Sequence, residues 1–232
     1  MTDRPKYTKT ILCLANSRRP SGRCVAGKEF ASGKAGAWVR PVNPNNSDAI
    51  SEADLQYKNG EFADVLDIVS IPMVEAKPHG HQTENEQIDP RFHWVKQSRA
   101  TWVQIVEATD NVQGALWLNG DSSYHGTNDK VAQEKANTLK NSLVLIKPSR
   151  LSLIVGEESQ FGGGSRRRVR ASIDFNGQHY NFVVTDPWIE DEYFAGKDGT
   201  FQIAESRLLL ACRKSSVGAQ SNWWRRSSPW IE

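Results

Sequence analysis

Turn-forming pairs recur along this chain at short intervals, and that punctuation limits what it can fold into. Ser32-Gly33, Asn59-Gly60, Asn119-Gly120, the run Gly162-Gly163-Gly164, Asn176-Gly177 and Asp198-Gly199 all place glycine where a chain reverses. Several of the stretches between them are short and either apolar or alternating: residues 11–14, 65–74, 143–146, 151–155, 169–175, 180–184 and 208–212. Runs of that length with that pattern predict strands. Many short strands joined by glycine-rich turns predict a mostly β protein built from barrels or sandwiches.

Two segments carry helical signals instead. Over 127–143, Ala132, Ala136, Leu139 and Leu143 form one stripe at helical spacing, and Thr127, Asn128 and Asp129 offer caps at its start. Over 186–194, Asp186 suits the N-cap and Pro187 the first helical position. Glu190, Asp191 and Glu192 favour the positive end of the helix dipole. The longer helix falls between two strand-rich stretches, and the polar segment 120–130 reads as a connection. The expected division is therefore 1–125 and 126–232. Each part is the size of a small five-stranded barrel with insertions.

With 29 basic and 27 acidic side chains the formal net charge is +2, and the pI is about 8.4. That balance excludes a histone-like polycation but leaves room for a charged groove, so any such case rests on where the arginines sit. No window approaches the roughly 18 uninterrupted apolar residues of a membrane helix. The polar start, residues 1–10, lacks the apolar core of a signal peptide. The expected location is cytoplasmic, with no membrane partner. Cys13, Cys24 and Cys212 are widely spaced with no C-x-x-C pair, which excludes a zinc ribbon and predicts buried thiols.

The arginine positions offer three candidate surfaces. From Arg166 the chain reads Arg-Arg-Arg-Val-Arg-Ala-Ser-Ile-Asp-Phe. In a strand, Val169, Ala171, Ile173 and Phe175 face a core, while Arg166, Arg168 and Arg170 face the other way, about 7 Å apart. Such a row suits a polyanion; the alternative is a solvated face with acidic neighbours. In 36–42, Trp38 and Arg40 share a face. Either they stack a base and hold its phosphate, or Trp38 is a core residue and Arg40 a structural ion-pair partner. The stretch 16–24 holds Ser17, Arg18, Arg19 and Arg23 and reads as a loop that places donors around an anion, or as a basic surface hairpin.

Thr185 and Asp186 end a strand and open a helix, where an aspartate binds a ligand or, more simply, caps the helix. His79, His81 and His93 lack further ligands at metal-binding spacing, so no metal and no cofactor is expected. H-E-x-x-H, G-x-S-x-G and a strand-borne G-x-G-x-x-G are all absent, and the chain is expected not to be an enzyme. The tail, 221–232, sets three tryptophans around two arginines, suited to stacking on bases or to packing over a barrel.

Residues 17–27 together with Gly36-Ala37-Trp38-Val39-Arg40-Pro41-Val42 resemble the opening of the dual OB-containing domain family. Ser142-Leu143-Val144-Leu145-Ile146 and Val183-Val184-Thr185-Asp186-Pro187 resemble its second half. The resemblance implies two tandem OB-like small β-barrels with a linking helix and a short helix in the second barrel. It also implies a prokaryotic or phage origin, with a role in nucleic-acid binding in a defence or mobile-element context. It carries over no catalytic residues. The C-terminus departs from the pattern: Arg213-Lys214-Ser215-Ser216 and the tryptophan-rich tail stand where a short apolar closing strand is expected. The expected function is a non-catalytic module for single-stranded DNA or RNA. The alternatives are a sensor of a small nucleotide or modified base, and a protein-interaction adaptor.

Overall fold

A computed structural model describes residues 4–19, 21–116, 120–139, 141–160, 162–203, 208–213 and 220–225, the last two stretches as backbone. The chain forms two compact units, Met1–Ala108 with Lys140–Ser142, and Thr109–Leu139 with Leu143–Glu232.

The first unit begins with two long strands, β1 (Tyr7–Arg19) and β2 (Gly22–Ala31), followed by β3 (Lys34–Val42). A one-turn helix α1 (Glu52–Leu55), opened by a Ser51/Asp54 capping box, leads to β4 (Asp67–Ala76), β5 (Asn85–Ile88) and β6 (Val95–Arg99). The strands run in the order β1-β2-β3-β5-β4, and β4 pairs back onto β1, so the sheet closes; β6 adds to β4. β3 and β5 are parallel and the other pairs antiparallel. Alternation decides what lies inside: Ile11, Cys13, Val25, Val39, Val69 and Ile71 belong to one buried core. β1 is long enough to serve two neighbours, its first half pairing with β4 and its second half with β2. A helix, α2 (Trp102–Glu107), follows the barrel, with Thr101 and Gln104 forming its capping box.

The second unit repeats the plan. Its strands are β7 (Leu143–Ile146), β8 (Arg150–Ser159), β9 (Ser165–Phe175), β10 (Gln178–Val184), β11 (Gly199–Gln202), β12 (Leu208–Arg213) and β13 (Gln220–Arg225). They lie in the order β11-β8-β9-β10-β13-β12-β7, with β10 and β13 parallel. β7 pairs with β12 and β8 with β9, so these two strands share the work that β1 does alone. Pro148 stands between them; it has no amide hydrogen to give a ladder, which accounts for the interruption. Val144, Leu151, Leu153, Val169, Ala171, Ile173, Tyr180 and Phe182 fill the core.

Two expectations need correcting. The helix expected over 127–143 shrinks to one turn, α3 (Gln133–Ala136). Asn128 has φ 50°, outside the helical region, the Asp129 carboxylate bonds the Ser123 amide, and Leu143 opens a buried strand. The expected closing strand is present, but the tryptophan-bearing segment supplies it: β13 pairs with β12, placing Trp223 opposite Leu210 and Trp224 opposite Leu209. The short helix α4 (Pro187–Phe194) forms where expected, with the Asp186 carboxylate accepting from the amides of Trp188 (2.9 Å) and Ile189 (3.3 Å).

Candidate nucleic-acid interface

The outward faces of the strands next to β1, and of their counterparts in the second unit, follow from the registers, and the two units differ there. In the first, Lys28 lies opposite Trp38, both pointing away from the core that holds Val25 and Val39. This face is covered. α2 packs against β3, Trp38 is only 7% exposed, and Lys28 Nζ donates to the Ala108 carbonyl (2.8 Å) at the end of α2. A lysine there complements the negative end of the helix dipole, and it also lies over the Trp38 ring at 5.3 Å. Arg40 is buried too: its Nε donates to Asn85 Oδ1 (2.6 Å) beside the Glu84 carboxylate, which accepts from the Ser142 amide (3.1 Å). The exposed stacking pair expected of Trp38 and Arg40 is therefore an internal packing and ion-pair arrangement.

The expected anion loop over 17–23 is also corrected. Ser17, Arg18 and Arg19 continue β1 and Arg23 belongs to β2, in the register Ser17 with Cys24, Arg18 with Arg23 and Arg19 with Gly22. The Arg23 amide bonds the Ile50 carbonyl (2.8 Å), Ser17 is buried, and Arg19 reaches the Asp48 carbonyl (3.4 Å). Strand pairing engages the backbone donors that an anion nest needs, leaving a hairpin end with Arg18 exposed.

In the second unit Arg166, Arg168 and Arg170 do share the outer face of β9, opposite a core-facing Val169 and Ala171. Their environments diverge along the strand. Arg170 is buried, makes a two-point pair with Glu158 and lies 3.9 Å from Asp129; it is structural. Arg168 is half-buried and Arg166 exposed, and among the described residues neither makes a salt bridge or side-chain hydrogen bond. Burial, then the neighbouring charge of Arg166, pulls the Arg168 guanidinium below its ordinary pKa, with Glu158 and Glu190 acting the other way. Arg167, on the opposite side of the strand, ties down the end of α4: it donates to the carbonyls of Phe194 and Gly196 (both 2.7 Å) and pairs with Asp198 (2.8 Å). Asp186 is occupied as the α4 cap, and Thr185 precedes it with its hydroxyl buried.

Sequence reasoning missed what lies beside this face. Residues 121–130 fold into a strap, closed by the Asp121–Lys130 bridge and pinned to β10 by the Thr127–Asn181 bridge. Asp129, buried at its root, accepts from the Ser123 amide (2.6 Å). At the tip, Tyr124 is 84% exposed, its ring edge-on to His125 with centroids 4.5 Å apart. The His125 ring bonds the Ser159 carbonyl (3.0 Å), and Ser159 pairs with Ser165, next to Arg166. The only signal in the sequence was an aromatic pair in an otherwise polar stretch. Further along the face, Asp174 Oδ1 holds His179 Nδ1 (2.7 Å) and Ser172 Oγ lies 3.4 Å from Nε2. β9 is paired on both sides at Ser172, so its own amides are engaged in the ladders.

Five strands in the order one-two-three-five-four, the third and fifth parallel and a helix after the third, define an OB-type barrel, and the chain carries that strand order twice. The model of the dual OB-containing domain matches residues 9–214, and the chain belongs to that family. No curated protein and no solved structure matches it. Among the described residues, no helix is long and apolar enough to cross a membrane.

Proposed function

We propose that this protein is a non-catalytic module that binds single-stranded nucleic acid, DNA or RNA. One observation carries the reading: two arginines that have no counter-ion at bonding distance among the described residues, Arg166 and Arg168, stand in line on the outer face of an OB-type barrel. That face is where such barrels take oligonucleotides. An alternating pair on a strand spaces its charges by about 7 Å, close to the separation of successive phosphates on an extended strand. A polyanion supplies a bonded counter-charge that these two arginines lack among the described residues, and association releases the ions condensed on the strand.

The test is fluorescence anisotropy with labelled deoxy- and ribo-oligonucleotides of increasing length, and with single nucleotides, at low and high salt. Affinity that grows with length and falls with salt is expected. Salt-insensitive binding of one mononucleotide would make the protein a nucleotide sensor, and no response to any of them would favour a protein-interaction role. Incubation with a fluorophosphonate probe checks the non-catalytic part: Ser172, despite its His179 neighbour, is expected to stay unlabelled.

A further inference from the structure

The two barrels are alike in strand order but unlike in what their outer faces present. In the first, the face beside β3 is filled by the chain itself: α2 lies on it, Lys28 is tied to the Ala108 carbonyl, and Trp38 is buried. The Trp38 ring is therefore not open to a base there. In the second, the β9 face keeps Arg166 and Arg168 without ion pairs among the described residues, and the strap brings an almost fully exposed aromatic ring to the same end of the hairpin. Tyr124 is not held there by apolar packing. Its location follows from polar contacts on either side of it: His125 to the Ser159 carbonyl, Asn181 Nδ2 to the His125 carbonyl (3.1 Å), and Ser123 to Asp129. A tyrosine fixed by its neighbours and left bare to solvent has the makings of a stacking platform, because every base offers a π-face.

We propose that only the second barrel takes the ligand, as one single-stranded segment per chain, with Tyr124 stacking a base, Arg166 and Arg168 holding the adjoining phosphates, and His125 positioning Tyr124. The first barrel is a closed structural body that binds none. This rests on the nucleic-acid reading above and adds to it the barrel, the stacking residue and the stoichiometry. The backbone of an extended strand would run along β9 past the glycine-rich hairpin end, residues 162–164, where a Cβ built on each glycine meets no described atom within 4 Å.

The experiment uses the full chain and an oligothymidylate or oligouridylate of about ten nucleotides, within the range of one OB fold. Tyr124→Ala should lower affinity about 5- to 150-fold, the range of one lost stacking contact, while Tyr124→Phe retains it. Arg166→Ala with Arg168→Ala should weaken binding and reduce the salt slope by about 1.4, two phosphates on a single strand. Arg18→Ala with Arg19→Ala, on the first barrel, should change neither. Titration at concentrations well above Kd should saturate at one segment per chain, and ultraviolet crosslinking should map to the peptide containing Tyr124. Circular dichroism of each variant confirms folding, since these side chains lie at or near the surface. If the parent protein binds no oligonucleotide, the nucleic-acid reading itself fails. If it binds, but the first-barrel variant loses affinity and the second-barrel variants do not, or two segments bind, then this assignment is overturned and the reading survives.

Discussion

Arg170 and Glu158 face each other on the outer surface of the second barrel as a two-point pair, with Nη2 3.2 Å from Oε2 and Nε on Oε1. The same guanidinium reaches the Asn181 carbonyl (3.4 Å) and neighbours the buried Asp129. One side chain therefore ties β8, β10 and the strap together. Arg170→Ala leaves two carboxylates without their cation, and breaking a buried pair in this way costs about 3–5 kcal/mol. Thermal denaturation should show a clear fall in Tm. Arg170→Lys should recover only part of it, because an ammonium cannot make the forked contact.

Trp38 gives the opposite separation of stability from binding. It is buried beside α2 and carries the Lys28 ammonium over its ring. Trp38→Ala should destabilise the protein by about 3–5 kcal/mol, as loss of a buried aromatic does. Oligonucleotide affinity, measured under conditions where the variant remains folded, should be unchanged. Urea denaturation and anisotropy on the same sample check the two halves.

The strap has its own weak point. A Cβ built at Gly126 would lie 1.9 Å from Asp129 Oδ2, so no larger residue fits while that carboxylate keeps its place. Gly126→Ala should displace Asp129 from the Ser123 amide and from Arg170, at a cost of about 1–3 kcal/mol for the forced shift. It should also weaken oligonucleotide binding, since Tyr124 then loses its fixed position. Calorimetric Tm and anisotropy should move together in this variant, unlike in Trp38→Ala.

Acid sensitivity has an assignable contributor in the first unit. Asp89 is buried and accepts from Arg91 Nε (2.9 Å), Arg91 Nη2 (2.8 Å) and the Arg91 amide (3.3 Å). The side-chain bonds from Arg91 hold its pKa below the ordinary carboxylate value, against the effect of burial. A group depressed on folding contributes stability above its unfolded pKa of about 3.9, and that contribution is lost as pH falls through the lower, folded value. Arg91→Ala should therefore lower stability at neutral pH and flatten the decline below about pH 4. Denaturant midpoints measured across that range read both effects.

Much of the second barrel was legible because its strands are either apolar throughout or alternate. Residues 143–146 form β7 with the expected ends, and 169–175 and 180–184 lie within β9 and β10. β6 was not legible for a physical reason: all five of its residues are exposed, so no apolar face announces it. β5 reads Asn-Glu-Gln-Ile, with Asn85 and Glu86 buried in polar contacts, to Arg40 and to Tyr7 and Lys9 respectively, rather than by apolar character. The stripe at Ala132, Ala136, Leu139 and Leu143 had helical spacing, yet polar bonding at Asp129 and strand pairing at Leu143 divided it.

The sequence by itself determined the local geometry of this protein. It set where the chain turns, that Asp186 and Pro187 open a helix, and that Arg166, Arg168 and Arg170 lie on one side of a strand and Trp38 with Arg40 on one side of another. Tertiary structure alone decided which of those sides remain open. Trp38 is covered by a helix more than sixty residues further on, and Lys28 is tied to a carbonyl 80 residues away. Arg170 is enclosed by Asp129 and Glu158, while Arg166, on the same face, is left without a partner among the described residues. Alternation along a strand reports only which side of the backbone a residue takes. Whether that side meets water depends on segments distant in the chain, and short-range periodicity carries no record of them.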